Sequence, residues 1–345
     1  MIDRRHFLQA LTSMSALALP RRCPAGGKAD RARGKVIERK SKPTLTPFGL
    51  NHQETLRFLK RSGEPWELTL LKTSAEVVER IGGKITAYAF DCDVQVNGKS
   101  HHLRREVGTQ ASFYEPWEIE GVHLWFDAVS CIFKEDGGFM AEKDWRLGFL
   151  CKPVQKARFA IQEADLPICP EPLRLWYPNA AGRLDIHECY NGEDCWMGPY
   201  EGNAAHCGLD INMKAGTTLF APISLDDHYL FNSTAAGFNN NRWRGVRRWP
   251  DGSEWWLQAH HLIRMLVPER TPLKAGTPYA TTAGVYVGSH EHTHFMFRVL
   301  DQGGDYLLDP AILFWEMFRQ QRPVKSSRPQ RDTSRSHPGN PPARA

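Results

Sequence analysis

Three short stretches hold the residues best able to do chemistry. The first, residues 203 to 211, reads N-A-A-H-C-G-L-D-I, with His206 and Asp210 four apart. The pattern is strand-like. Residues i, i+2 and i+4 of a strand share a face, so His206, Gly208 and Asp210 project together and Leu209 and Ile211 face the other way. Gly208 leaves room above the backbone. An imidazole beside a carboxylate makes two legitimate zinc ligands. The second stretch, residues 290 to 299, reads H-E-H-T-H-F-M-F-R-V. His292 and His294 alternate with Thr293 and Phe295, so both point the same way, within reach of one metal site. Buried side by side, two imidazoles carry a solvation problem, which a metal or a transferred proton resolves. A polar strand face that satisfies itself is the other reading. The third stretch, residues 255 to 263, reads W-W-L-Q-A-H-H-L-I after the turn Asp251-Gly252. On a regular strand His260 and His261 face opposite sides, so one of them reaches the site.

Other catalytic patterns are missing. The sequence has no H-E-x-x-H helix, no G-x-S-x-G elbow and no glycine-rich phosphate loop between a strand and a helix. Cys207 adjoins His206, but neighbouring strand residues point to opposite faces, which makes it a buried or paired cysteine rather than a nucleophile.

Together the three stretches resemble the lysostaphin-like family of zinc metallopeptidases. That family carries H-x-x-x-D, then a strand ending in His-Leu, then H-x-H followed by an aromatic, and all occur here in that order. Gly208-Leu209-Asp210-Ile211, Gly216-Thr217-Thr218, Ala221-Pro222, Lys274-Ala275-Gly276-Thr277 and Asp309-Pro310 fit the text between and after the motifs. The resemblance covers about residues 200 to 315. It implies one Zn²⁺ per chain held by His206, Asp210 and His294, with His261 and His292 as the catalytic histidines. It also implies an antiparallel sheet of the duplicated-hybrid-motif type, open on one face over the metal. Three protein ligands keep one position free for water, whose pKa zinc lowers to about 7. The substrate implied is the peptide of peptidoglycan, in stems or cross-links. Two departures touch the proton-handling groups: His290 and Glu291 stand where the family usually has a Gly-Pro pair, and His260 is an added neighbour of His261. The alternative is an inactive relative that binds cell wall or activates a hydrolase, but such relatives lose ligand positions that are filled here. A sugar-phosphotransfer module would use paired histidines without Asp210.

The surrounding elements must position these groups. The chain has 345 residues, 41% of them hydrophobic and 24% charged, enough for a real core and against general disorder. Its net charge of +5 is mild, and basic and aromatic residues are not interleaved as in a nucleic-acid module, so no nucleic-acid partner is expected. Arg4-Arg5-His6-Phe7-Leu8 resembles the core of a twin-arginine export signal; residues 1–18 are read as that signal, with destination periplasm, envelope or medium. Residues 19–44 read as a linker, 45–165 as a β-rich N-terminal domain, 166–318 as the peptidase domain and 319–345 as a disordered basic tail. The fold class is mainly β. Asn97-Gly98 marks a tight hairpin, and Ser74 to Arg80 reads as a short helix. No stretch after the signal is long and apolar enough to span a bilayer. The eight cysteines include no C-x-x-C pair, which disfavours a structural zinc ribbon, and their pairing is not readable.

Overall fold

A computed structural model describes residues 21–22, 34–81, 84–107, 115–130, 154–179, 184–185, 208–232, 241–284, 291–302 and 304–321. Arg4, Arg5 and the apolar run of the expected export signal lie outside the described residues, as do His206, Cys207, His290 and the tail beyond Gln321. Among the described residues, no helix is long and apolar enough to cross a membrane.

The fold is mainly β, as the alternating strand patterns predict. Strands are numbered along the chain and form three sheets. The first comprises β1 (Arg21–Arg22), β2 (Val36–Lys40), β4 (Thr55–Leu59), β5 (Pro65–Ile81), β6 (Lys84–Val96) and β7 (Lys99–Val107), in the order β2-β4-β5-β6-β7 with β1 against β5. β1 and β2 thus fall inside the stretch read as a linker. The Ser74–Arg80 helix is a correction: those residues belong to β5 and pair with β6. Val77 and Val78 are β-branched, which suits a ladder better than a helix turn. The hairpin at Asn97-Gly98 forms as expected, with φ of 45° and 84°, the left-handed pair that a two-residue turn requires.

The second sheet, β3 (Thr46–Leu50), β10 (Ala157–Glu163), β9 (Val122–Val129) and β8 (Trp117–Ile119), is a middle layer. Every residue of β9 and β10 is buried. Alternation sends Phe126 and Phe159 into the core shared with the first sheet, and Trp125 and Ala160 into the core shared with the third.

The third sheet carries the chemistry. It comprises β11 (Leu209–Asn212), β12 (Thr218–Phe220), β13 (Asp227–Asn232), β14 (Asn241–Arg248), β15 (Glu254–Met265), β16 (Pro278–Thr282), β17 (His292–Asp301) and β18 (Gly304–Leu308). Its path is β11-β17-β15-β14-β13, with β18 on β17 and the β16–β12 pair on β15; all of its pairs are antiparallel. Trp243, Trp255, Leu257, Phe295 and Phe297 bury one face in a core closed by helix α1 (Ala311–Gln321) and the middle layer. Trp176 packs between Phe295 and Phe314, with ring centroids 4.7 and 6.1 Å away, and donates its indole N–H to the Tyr279 hydroxyl at 2.8 Å. Asp309 caps the helix: its Oδ1 accepts the Ala311 amide at 2.8 Å, and Pro310 follows where a missing N–H costs nothing.

Candidate metal centre

The antiparallel register of β11 on β17 decides the arrangement. Asp210 lies directly opposite His294 and Asn212 opposite His292. Directly opposed residues share a face, so the carboxylate and the imidazoles converge on the side away from Phe295. His294 Nδ1 sits 2.9 Å from Asp210 Oδ1, and His292 Nε2 sits 3.9 Å from Asp210 Oδ2. All three side chains are buried. With a proton on Nδ1 the shorter contact is a hydrogen bond from imidazole to carboxylate. With that proton displaced, the same two atoms are adjacent lone-pair donors for a cation.

Gly208 makes the close approach possible. A Cβ there would come within 2.2 Å of the Phe295 carbonyl and 2.6 Å of the His294 ring. The room that the sequence pattern assigns to Gly208 is therefore filled by His294.

His260 and His261 depart from the regular-strand expectation. Along β15, Ala259 pairs with Trp243 and Phe295, whereas Leu262 pairs with Asn241 and Thr282. The two histidines occupy a bulge at the point where β15 hands over from β17 to β16. His261 adopts φ 60°, a left-handed conformation that costs about 1–3 kcal/mol for a residue with a side chain. The extra residue breaks the alternation, and both rings turn to the site rather than one. The His260 ring stacks on His294 at 4.6 Å, and the His261 ring meets His292 edge-on at 4.9 Å. Hydrogen bonds to the strained segment hold it: the His261 carbonyl accepts the Ala283 amide at 2.6 Å and the Thr282 hydroxyl at 3.4 Å, and Thr282 Oγ1 in turn lies 2.6 Å from Thr293 Oγ1.

Of the residues singled out in the sequence, Asp210, His261, His292 and His294 come together with His260. His206 lies outside the described residues, and among those described no group of three His, Cys, Asp or Glu has metal-holding geometry. The donor set nevertheless suits zinc. Tetrahedral ligands at about 2.0–2.2 Å from the metal stand roughly 3.3 Å from each other, close to the separation of the Asp210 and His294 donor atoms.

Residues 243 to 256 carry four tryptophans. The structure sorts them: Trp243, Trp249 and Trp255 are core, whereas Trp256 lies on the site face. Phe231 of β13, 36% exposed, was not singled out and packs edge-on against His260 at 5.7 Å.

Neither a protein-family model nor a curated protein sequence matches the chain. Solved structures do. The catalytic domain of the antimicrobial peptidase lysostaphin from Staphylococcus simulans aligns at 20% identity and TM-score 0.27, covering 33% of this chain and 82% of that one. For lysostaphin as a whole the values are 18% and 0.29, and the alignment covers 37% of this chain and half (50%) of lysostaphin. A zinc-containing peptidase from Vibrio cholerae aligns at 14% and 0.29, over 72% of this chain and 86% of that one.

Proposed function

We propose that the chain is a zinc-dependent metalloendopeptidase acting on peptide bonds of peptidoglycan. The observation that carries this is the buried Asp210 carboxylate facing His294 Nδ1 at 2.9 Å, ringed by His260, His261 and His292. One carboxylate among four imidazoles is a donor set suited to a cation.

Asp210 and His294, with His206, would hold the metal. Bound zinc would supply a Lewis acid that polarises the scissile carbonyl and lowers the pKa of water to about 7. His261 and His292 meet edge-on beside the ligand atoms, so either imidazole can take a proton from the attacking water and return it to the leaving amine. The charged form of either ring also faces the place where an oxyanion develops. The Thr282–Thr293 pair fixes the bulge that presents His261. Burial excludes bulk water from the donor atoms and strengthens each of these interactions. The peptidoglycan assignment follows the motif resemblance and the expected export.

The test is zinc content of the purified chain, by elemental analysis, for wild type, His206→Ala, Asp210→Ala and His294→Ala, followed by digestion of purified peptidoglycan. About one zinc per wild-type chain, lost in each variant, is expected. A wild type that stays metal-free when offered zinc sinks the proposal.

A further inference from the structure

The site face of the third sheet continues past the histidines into a ladder of guanidinium and aromatic groups. Trp256 lies between Arg244 and Arg298, whose guanidinium carbons stand 4.1 and 4.3 Å from its ring. Arg244 also covers Phe231 at 4.7 Å, and Arg270 covers Tyr229 at 3.6 Å. Phe231 touches His260, so the ladder begins at the site.

Its charges are not alike. Arg247, Arg248, Arg270 and Arg298 pair with Asp226, Glu254, Asp227 and Asp305 respectively. Arg242 and Arg244 pair with no carboxylate among the described residues, and the Nε of each is buried without a hydrogen-bond partner. The eight residues 233–240 that join β13 to β14 contain no Asp or Glu. Arg244 stands opposite Tyr229 and Gln258 and donates Nη1–H to the Tyr229 hydroxyl at 3.1 Å. Arg242 precedes the buried Trp243 and faces the His260–His261 bulge across the β14–β15 ladder. Two half-buried, uncompensated guanidiniums on a strand beside a hydrolytic site are costly unless something anionic joins them.

The geometry points to a subsite for an acidic substrate residue: Arg244, assisted by Arg242, receives a peptide carboxylate while Phe231 and Trp256 carry the peptide's apolar stem. The contacts running His294, His260, Phe231, Arg244 place that carboxylate within about four extended residues of the bond to be cut. A guanidinium held flat by aromatic stacking offers its N–H edge to a planar carboxylate in bidentate fashion. A long polyanion fits less well, because Arg247, Arg248, Arg270 and Arg298 are already neutralised, which among the described residues of the ladder leaves this pair. The inference rests on the hydrolytic reading of the same centre and narrows its substrate to peptides bearing a free carboxylate near the scissile bond, rather than neutral, glycine-only ones.

The test uses the zinc-loaded full chain and fluorescent Gly/Ala nonapeptides in which a single Glu is moved along the sequence, each with its Gln twin. Anisotropy is read before cleavage accumulates. At the best position the Glu peptide should bind about tenfold tighter than its twin, the size expected of one charge-assisted contact. Arg244→Gln should bring that ratio to about one and Arg242→Gln should reduce it. Arg298→Gln, which removes a stacked but already neutralised guanidinium, should leave it unchanged. Unaltered melting and zinc content keep the comparison clear of misfolding. A ratio near one at every position, or one that survives Arg244→Gln, overturns the subsite. Preference without cleavage of any peptide or of peptidoglycan would sink the hydrolytic reading alone; cleavage without preference would sink the subsite alone.

Discussion

Two buried polar clusters, one where the N-terminal sheets meet helix α1 and one on the third sheet, differ in their charge balance. In the first, Arg105 of β7 and Arg158 of β10 meet Asp127 of β9 and Asp309 at the helix start. The two cations and two carboxylates cancel, and Asp127 Oδ1 accepts the Asp309 amide at 3.1 Å as well. In the second, one carboxylate, Asp210, is surrounded by four imidazoles. The first cluster is electrically closed and joins layers. The second gathers lone-pair donors on one face, the makeup that a cation or a moving proton uses. Burying ionisable groups costs free energy in both places, so the balance of the cluster tells whether that cost was met inside the fold or left for a ligand.

The comparison can be broken first at the imidazoles. If the second cluster is catalytic, His261→Ala and His292→Ala should keep zinc and melt near the wild type, yet lose about 10²–10⁴-fold in peptide hydrolysis, the usual scale of a lost acid–base group. Loss of zinc in either variant would move that histidine from proton transfer to metal binding. Asp127→Ala tests the first cluster. It takes a buried carboxylate from Arg158 and from Arg105, which keeps Asp309, and should cost about 3–5 kcal/mol in chemical denaturation; a cost below about 1 kcal/mol would mean that the cluster joins nothing. Hydrolysis per folded molecule should survive it.

The link between sequence and site can be sharpened at Gly208. The alternation of residues 292–299 made the shared face of His292 and His294 legible in the sequence, because a period of two on paired strands leaves little freedom. Gly208 was legible for the same reason. The bulge was not: nothing in A-H-H-L announces that His261 takes φ 60°, since that conformation is imposed where β15 exchanges one neighbour for another. Helix α1 also went unforeseen, because A-I-L-F-W-E-M-F is buried nearly all round and shows weak periodicity. The middle layer blurs the boundary placed near residue 165, since Trp125 and Ala160 share a core with Phe297 and Phe314. Gly208→Ala should therefore cost about 1–3 kcal/mol, as overpacking does, and lower zinc occupancy together with stability. An alanine variant that melts like wild type and holds zinc would mean that His294 does not need the space.

The smallest effect expected belongs to His228, a third kind of buried histidine that is neither in an ion cluster nor at the site. Its Nδ1 accepts the Trp243 indole N–H at 3.1 Å and its Nε2 lies 3.4 Å from Thr271 Oγ1, so the ring is held neutral. Burial pushes its pKa below the ordinary 6.5; the Pro268 carbonyl, Asp227 and Glu269 oppose this and Arg270 adds to it. The sign follows from linkage. Above about pH 6.5 folded and unfolded chains are both neutral at this residue, and its contribution to stability is complete. As pH falls, the unfolded chain takes the proton first, and stability is lost until the folded pKa is passed. His228→Gln keeps an acceptor for Trp243 and cannot titrate. Between about pH 7 and 5 its melting temperature should fall less than that of wild type. His52 and His123, whose pKa values burial also lowers, cancel in the difference. Parallel curves for the two proteins would mean that His228 takes a proton as readily folded as unfolded, and that burial beneath Trp243 does not govern it.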